Sequence, residues 1–446
     1  MSINATSYGA HLKHVLSFYD SLMENQNLSG LVIPSGIPKQ QFLDDNPYPF
    51  KVNVHFKALL SVTDVPHSYI IYQPGCKPVL VFFQPEDYWH VVPADPEGIW
   101  VDYFAIKIVR GKDDWRAYLP SQRQGLVWIG EPQKELASLN ISTINPEKLL
   151  HAIHFRRASK SPYEIACLRE ASLTAAKGHL VAKEVFLTGG SEMEIHLAYL
   201  QATAQKEEDL PYGNIVALNN HSSVLHYTDL ENQQYPTSNL HSFLIDAGAT
   251  HNGYCSDITR TWAYQEGEFS ELIQRFDKLQ LELIAELAIG KSYVDMHILT
   301  HLKIAELLYD FEFIYCDAET ALATGISSTF FPHGLGHLLG LQVHDIGGHQ
   351  STALGDINFP PTEHPYLRLT KTIETGFCVT MEPGLYFIEM LLKKLAESEH
   401  TSLVNWPKVE AFKKYGGIRI EDDVVITADG TENLTRNAFA QLHHGI

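Results

Sequence analysis

Residues 331–348, FPHGLGHLLGLQVHDIGG, hold His333, His337 and His344 within a dozen positions, interleaved with Gly334, Gly336 and Gly340 and followed by Asp345. Imidazoles are metal ligands and proton carriers near neutral pH, and glycines let a backbone approach a neighbour closely. Such a mixture suits neither an ordinary helix nor a core strand. It is expected to bring one histidine to a metal and the others to a substrate, with the remaining ligands coming from elsewhere. Four carboxylates have suitable settings. Asp246 ends the apolar run SFLID, and Asp257 opens DITRTWAY after the turn dipeptide Asn252-Gly253, so the two are expected to converge across a hairpin. Glu382 closes FCVTME before Pro383-Gly384. Glu421 lies in GIRIEDDVVI, read as one strand, where the period of two puts Arg419, Glu421 and Asp423 on one face. Any one of these acids is ordinary at a strand end or surface. Brought together they repel unless a cation neutralises them. An oxygen-rich set without thiolates favours Mn2+ or a similar ion over structural zinc.

The elements that position them belong to a chain of 446 residues, long enough for two or three domains. Its 45% apolar and 19% charged content is that of a soluble globular protein with ample core. Acidic residues outnumber basic ones 53 to 33, and the formal charge of −20 argues against nucleic acid or an anionic membrane as main partner. Five scattered cysteines form no CxxC pair, so neither a disulfide framework nor a thiolate zinc site is expected. Residues 1–22 lack the apolar core of a signal peptide, and no run approaches the ~18–20 apolar residues of a membrane span. The expected address is the cytoplasm.

Residues 8–23 read as an amphipathic helix, and the runs 30–34, 79–83, 100–106 and 125–129 as strands, with helical stretches at 114–118 and 132–138. This is an α/β pattern. A basic polar link is expected at 154–160. Ser161 and Glu164 then form a capping box with Pro162 at the first helical position, and Ser191 with Glu194 repeats the device. Apolar stripes predict further helices at 269–287 and 294–309, so the C-terminal two-thirds reads as α+β.

In order and spacing, IDAG (245–248), SDITRT (256–261), HGLGHLLGLQVHD (333–345), MEPGLY (381–386) and GIRIEDD (417–423) resemble the signature of the pita-bread metallopeptidases. Within them the resemblance is to the bacterial-type Xaa-Pro dipeptidases (prolidases), through both domains and most strongly over residues 212–423. It implies an α/β N-terminal domain at 1–158 and an α+β pita-bread (creatinase/aminopeptidase-like) catalytic domain at 159–446. It implies that Asp246, Asp257, His337, Glu382 and Glu421 bind two divalent ions per subunit, Mn2+ being the expected metal. Asp257 and Glu421 would bridge, Asp246 would complete one site, and His337 with Glu382 the other. The implied reaction is hydrolysis of dipeptides ending in proline by a hydroxide shared between ions ~3.5–4 Å apart. Glu382 would shuttle the proton, and His344 and His226 would hydrogen-bond substrate and oxyanion. Arg419, with His333 second, would bind the free carboxylate, and Tyr212, Tyr293 and Leu367 would line the pocket. The family also implies a homodimer, with Asp45 or Trp89 reaching a neighbouring subunit's site, and a side activity on phosphotriesters and fluorophosphonates. An aminopeptidase P would share the ligands but tends to carry serine where this chain has Gly336. The intact ligand set argues against a metal-free creatinase-like relative, and against a non-catalytic pita-bread binding module such as those in histone chaperones.

Overall fold

Asn4 caps the first helix, Ala5–Asn25, by accepting the N–H of Ser7, and Tyr8, Leu12, Val15 and Tyr19 form its buried face at helical spacing. The computed structural model describes residues 2–443 and divides into two compact units. The first takes the chain up to Arg156, with Ser161–Cys167 and Ala353–Gly355. The second takes Arg157–Lys160, Leu168–Thr352 and the chain from Asp356 onward.

In the first unit, β1 (Gly30–Pro34), β2 (Tyr69–Tyr72), β3 (Val79–Phe83), β4 (Ala105–Val109), β5 (Leu126–Trp128) and β6 (Thr143–Ile144) form one mixed sheet in the order β4-β3-β2-β1-β5-β6. Its central strands are buried on both faces, which is why they read as unbroken apolar runs. On one face Tyr69 stacks on Trp115 with ring centroids 4.2 Å apart, beside Trp128.

Three expectations need correction here. Residues 100–106 are not one strand: Val101–Tyr103 is a 3-10 turn, and the strand starts at Ala105. Trp100 and Phe104 are both buried, a spacing of four that a pleat and a turn share. Only Lys134–Leu136 of the stretch 132–138 is helical. The basic link at 154–160 is largely a helix, Glu147–Arg157. Its end is no solvated connector, because Arg157 and Lys160 are buried against the carboxylate of Asp345.

The capping boxes form as expected. Glu164 accepts the Ser161 N–H at 2.8 Å where Pro162–Leu187 begins, and Ser191 with Glu194 opens Glu192–Thr203. The helices Glu268–Ala285 and Tyr293–Asp310 bury their apolar stripes in the main core of the second unit. Its strands are β7 (Ile215–Leu218), β8 (Ser242–Asp246), β9 (Thr250–His251), β10 (Tyr254–Cys255), β11 (Thr259–Ala263), β12 (Cys378–Met381), β13 (Gly384–Tyr386), β14 (Gly417–Arg419), β15 (Asp422–Thr427) and β16 (Gly430–Asn433). They pair as β11-β8-β7, β9-β10, β12-β15-β16 and β13-β14.

Asn252 and Gly253 take φ of +51° and +81°, the pair of positive values that a two-residue hairpin turn requires. Asp246 stands opposite Thr259 and His251 opposite Tyr254, one continuous register centred on that turn. Asp257 therefore lies two residues before the start of β11, opposite Gly248. The two aspartates are staggered on one face rather than directly opposed. Glu421 is also displaced from its expected place within a single strand. The chain changes partner at Ile420–Glu421, from β13 to β12, and Glu421 sits in the break, bridged to Thr259.

Candidate metal centre

The histidine segment runs alongside β12 without forming a regular strand. Thr380 N–H donates to the His337 carbonyl at 3.0 Å, and Glu382 N–H donates to the Leu335 carbonyl at 2.9 Å. His337 and Glu382 are thereby carried on neighbouring stretches of backbone. The fit has no room for a side chain at Gly336, where a Cβ would lie 2.2 Å from the Thr380 carbonyl oxygen and 2.5 Å from the Tyr293 hydroxyl. Gly336→Ser is expected to cost about 1–3 kcal/mol through overpacking, read as a lower urea midpoint, and to lower activity by shifting the adjacent His337.

Around that backbone the five expected ligand residues converge. Ligand atoms of Asp257, His337 and Glu421 lie within 4.8 Å of one another. His337 Nε2 stands 3.3 Å from Asp257 Oδ2 and 3.7 Å from Glu382 Oε1. Its Nδ1 faces the Leu338 carbonyl at 3.0 Å, which leaves Nε2 as the nitrogen turned toward the carboxylates. Asp246 accepts from Arg419 Nη2 and from the Tyr212 hydroxyl, both at 2.7 Å, and that hydroxyl is shared with Asp257. Thr259 Oγ1 donates to Glu421 Oε2 at 2.6 Å.

The charges are poorly balanced without a cation. Burial, then the neighbouring Asp257, pushes the Glu421 carboxyl well up. Burial also raises Asp246, against the pull of Arg419, and lifts Glu382 to about 7, against the pull of His337. For His337 burial acts downward, but the hydrogen bond the ring donates to Asp257 and the charges of Glu382 and Asp257 override it and raise the ring to about 9. Once the four carboxylates are ionised and His337 is neutral, as metal ligation requires, the Arg419 guanidinium leaves a deficit that a single divalent ion cannot cover and two can. The donor set of carboxylate oxygens and one imidazole fits such ions.

Two family models match the chain: "Xaa-Pro dipeptidase, N-terminal domain" over residues 6–155 and "Metallopeptidase family M24" over residues 166–428. An Xaa-Pro dipeptidase of Pseudoalteromonas translucida (strain TAC 125) is 46% identical over 434 residues, 97% of this chain and 98% of that protein. One from Xanthomonas euvesicatoria pv. vesicatoria is 47% identical with the same coverage. The chain belongs to the Xaa-Pro dipeptidases of metallopeptidase family M24. Among solved structures, aminopeptidase P from E. coli with the inhibitor Pro-Leu matches with a TM-score of 0.70 at 21% identity, over 100% of this chain and 99% of that one. That likeness carries the fold: the second unit is a pita-bread metallopeptidase domain.

Around the carboxylates of this M24 chain stands a ring of supporting groups, several of which sequence reasoning missed. Tyr386 joins two of the expected residues. Its hydroxyl is 2.8 Å from Arg419 Nη1 and 2.8 Å from His333 Nε2, while His333 Nδ1 donates to the Gly334 carbonyl. Burial and the charge of Arg419 hold His333 neutral down to about 3, so the run from guanidinium to hydroxyl to imidazole has one direction. Thr259 and Tyr386 both sit in the quoted motifs, and a period of two through TRT and GLY could have flagged them. Asp423 accepts the Asp257 N–H at 3.2 Å. His344 packs edge-on against His337, centroids 4.4 Å apart, and is exposed, as is His226. Tyr293 and Leu367, expected to line the pocket, are buried in the core cluster of this unit, and the Tyr293 hydroxyl donates to the Thr380 carbonyl at 2.6 Å.

Two buried anions hold the loops that bear the outer histidines. Glu192 accepts from Leu218 N–H (2.9 Å), His221 Nδ1 (2.7 Å), Tyr227 hydroxyl (2.7 Å) and Glu231 N–H (3.0 Å), tying down the segment that carries His226. Asp345, next to His344, is bound by Arg157 and by Lys160 at 2.9 Å. Burial works to raise its carboxyl, and the two cations hold it below the usual range. Asp345→Asn leaves two buried cations without their anion. It is expected to cost about 3 kcal/mol, read as a lower urea midpoint of the metal-loaded protein.

Proposed function

We propose that the chain is a dinuclear-metal dipeptidase hydrolysing Xaa-Pro dipeptides that end in proline. One observation carries the reading: four carboxylates and one imidazole converge with a single guanidinium among them. Asp246, Asp257, His337, Glu382 and Glu421 would hold two divalent cations, with Asp257 and Glu421 shared, and the oxygen-rich donors favour Mn2+. When bound, two such ions make a water nucleophilic at neutral pH and stabilise the developing oxyanion.

The chain's own residues supply the rest. Glu382, beside His337 at the centre, takes a proton from the attacking water and returns it to the proline nitrogen. His344 and His226 donate to the carbonyl oxygen as its charge grows. Arg419, with Tyr386 and His333 in line behind it, receives the proline carboxylate. Tyr212 and Thr259 hold the carboxylates together against their repulsion. A phosphotriester or fluorophosphonate offers a tetrahedral centre that mimics the peptide transition state, which makes it a side substrate of the same site.

The loops around Asp45 and Trp89 expose Phe42, Leu43, Tyr88 and Val91. That much apolar surface supports a homodimer. All five cysteines are thiols rather than disulfides, which supports the reducing cytoplasm. Among the described residues no helix is long and apolar enough to cross a membrane.

Initial rates on Ala-Pro and Ala-Pro-Pro-Ala in Mn2+ test the reading. Fast cleavage of the dipeptide with little turnover of the tetrapeptide is expected. The reverse ranking would replace it with an aminopeptidase P.

A further inference from the structure

A second cluster of metal-binding side chains stands apart from the carboxylates, on the helix Tyr293–Asp310. His297 and His301 lie one turn apart on its buried side, and His364 joins them from the turn at residues 361–367; their exposures are 1%, 1% and 9%. The three ring centroids are 4.7, 4.6 and 4.5 Å apart, and one nitrogen of each ring lies within 4.8 Å of the others. His297 Nε2 and His301 Nε2 are 3.2 Å apart. Two ligands on a tetrahedral ion with ~2.0 Å metal–nitrogen bonds stand about 3.3 Å apart.

We propose that His297, His301 and His364 form a mononuclear site for a zinc-like divalent cation, distinct from the carboxylate centre. The competing account is a trio of neutral imidazoles packed for shape and bonded to one another. That account explains one pair. The His297–His301 contact uses one nitrogen of each ring, and Ser327 Oγ meets His301 Nδ1 at 3.1 Å. His297 Nδ1 is left buried without a partner, and among the described residues no hydrogen bond reaches the His364 ring. A cation would engage one lone pair from each of the three rings and so take in His364, which the packing account leaves out, while His297 Nδ1 stays without a partner in both.

The surroundings suit the chemistry. A proton on His301 Nδ1 donated to Ser327 leaves the Nε2 lone pair facing His297, the usual arrangement behind a ligating histidine. Burial keeps His297 and His301 neutral down to about 2 and about 3, so no proton has to be displaced. An all-imidazole set prefers Zn2+, Ni2+ or Cu2+ to the hard Mn2+ favoured by carboxylates. Three histidines leave a fourth position for water or an anion.

The site would pin the 361–367 turn to the helix. Leu367 on that turn backs the histidine segment, its Cα 2.9 Å from where a Gly334 Cβ would be. The cation would therefore stiffen the backbone beside His333 without touching substrate.

The test loads the carboxylate centre with Mn2+, adds one equivalent of Zn2+ per chain, and collects diffraction on both sides of the zinc edge. A zinc peak among the three rings is expected, with one extra metal equivalent kept through gel filtration. Zn2+ should also raise the Tm of the Mn2+-loaded wild type by several degrees and that of His364→Gln by much less. A zinc-edge map with no peak among the rings, or an extra equivalent retained in His364→Gln, overturns the proposal. The wild-type map decides alone if that variant does not fold.

Discussion

Asp257→Asn is expected to lower kcat/KM on Ala-Pro by about 10³-fold or more while leaving the metal-free fold intact. Replacing groups that merely orient metal ligands costs 10–100-fold, and a ligand shared by two ions should cost more. Asp257 is the carboxylate that touches most of the centre: His337 Nε2 at 3.3 Å, the Tyr212 hydroxyl, and the Glu421 neighbourhood. An amide keeps its volume but removes the charge that two cations would share. The backbone is untouched, because the Asp257 N–H still donates to Asp423. Metal analysis after dialysis against Mn2+ should give about two equivalents for wild type and one or fewer for the variant. Thermal melts in a chelator should show both proteins unfolding cooperatively, with the variant's Tm lower because His337 loses the charge of its partner. Full activity in Asp257→Asn would remove the shared carboxylate, and with it the two-ion mechanism.

The elements that carry this centre were largely written in local sequence. Ser161-Pro162 and Ser191 announce helices through their own side chains, and Asn252-Gly253 announces a hairpin through dihedrals few other pairs adopt. Acids that follow apolar runs stand out for the same local reason, and Asp246, Glu382, His337 and Glu421 do converge. What stayed hidden depends on register and distance. The two-residue turn at Asn252-Gly253 already sets Asp257 opposite Gly248 rather than Asp246, but nothing near Glu421 says that its strand changes partner there. Arg157 and Lys160 looked like a solvated link because Asp345, their partner, lies 188 and 185 residues away. His297 and His301 are a helical pair visible at spacing four, but His364 joins them only through a distant turn. Trp100 and Phe104 misled because an apolar spacing of four inside a short run can be read as either a pleat or a turn.

Stabilisation by Mn2+ is expected to grow as pH rises from about 5 to about 9, because protons and cations compete for the same ligands. Glu382 has a folded pKa raised to about 7 from an ordinary 4.5, so its contribution to the metal-free protein is full below 4.5 and is lost as pH rises through 7. At about 1.4 kcal/mol per pKa unit, that loss is at most about 3.5 kcal/mol. His337, raised to about 9 from 6.5, contributes fully below 6.5 and loses its share as pH rises through 9. Asp257 is shifted the other way, so its contribution is lost only as pH falls below the ordinary carboxylate range, outside this window. Buried neutral histidines oppose the trend below pH 6.5: His297, His301 and His333 are depressed to about 2, 3 and 3, and unfolding lets them bind protons. Their effect is common to metal-free and metal-loaded protein, so the informative quantity is the difference between the two. Urea midpoints in chelator and in Mn2+, taken at each pH, should separate progressively up to about pH 9. A separation that stays constant from pH 5 to 9 would mean that Glu382 and His337 give up no protons to the metal, and the ligand assignment would fall with it.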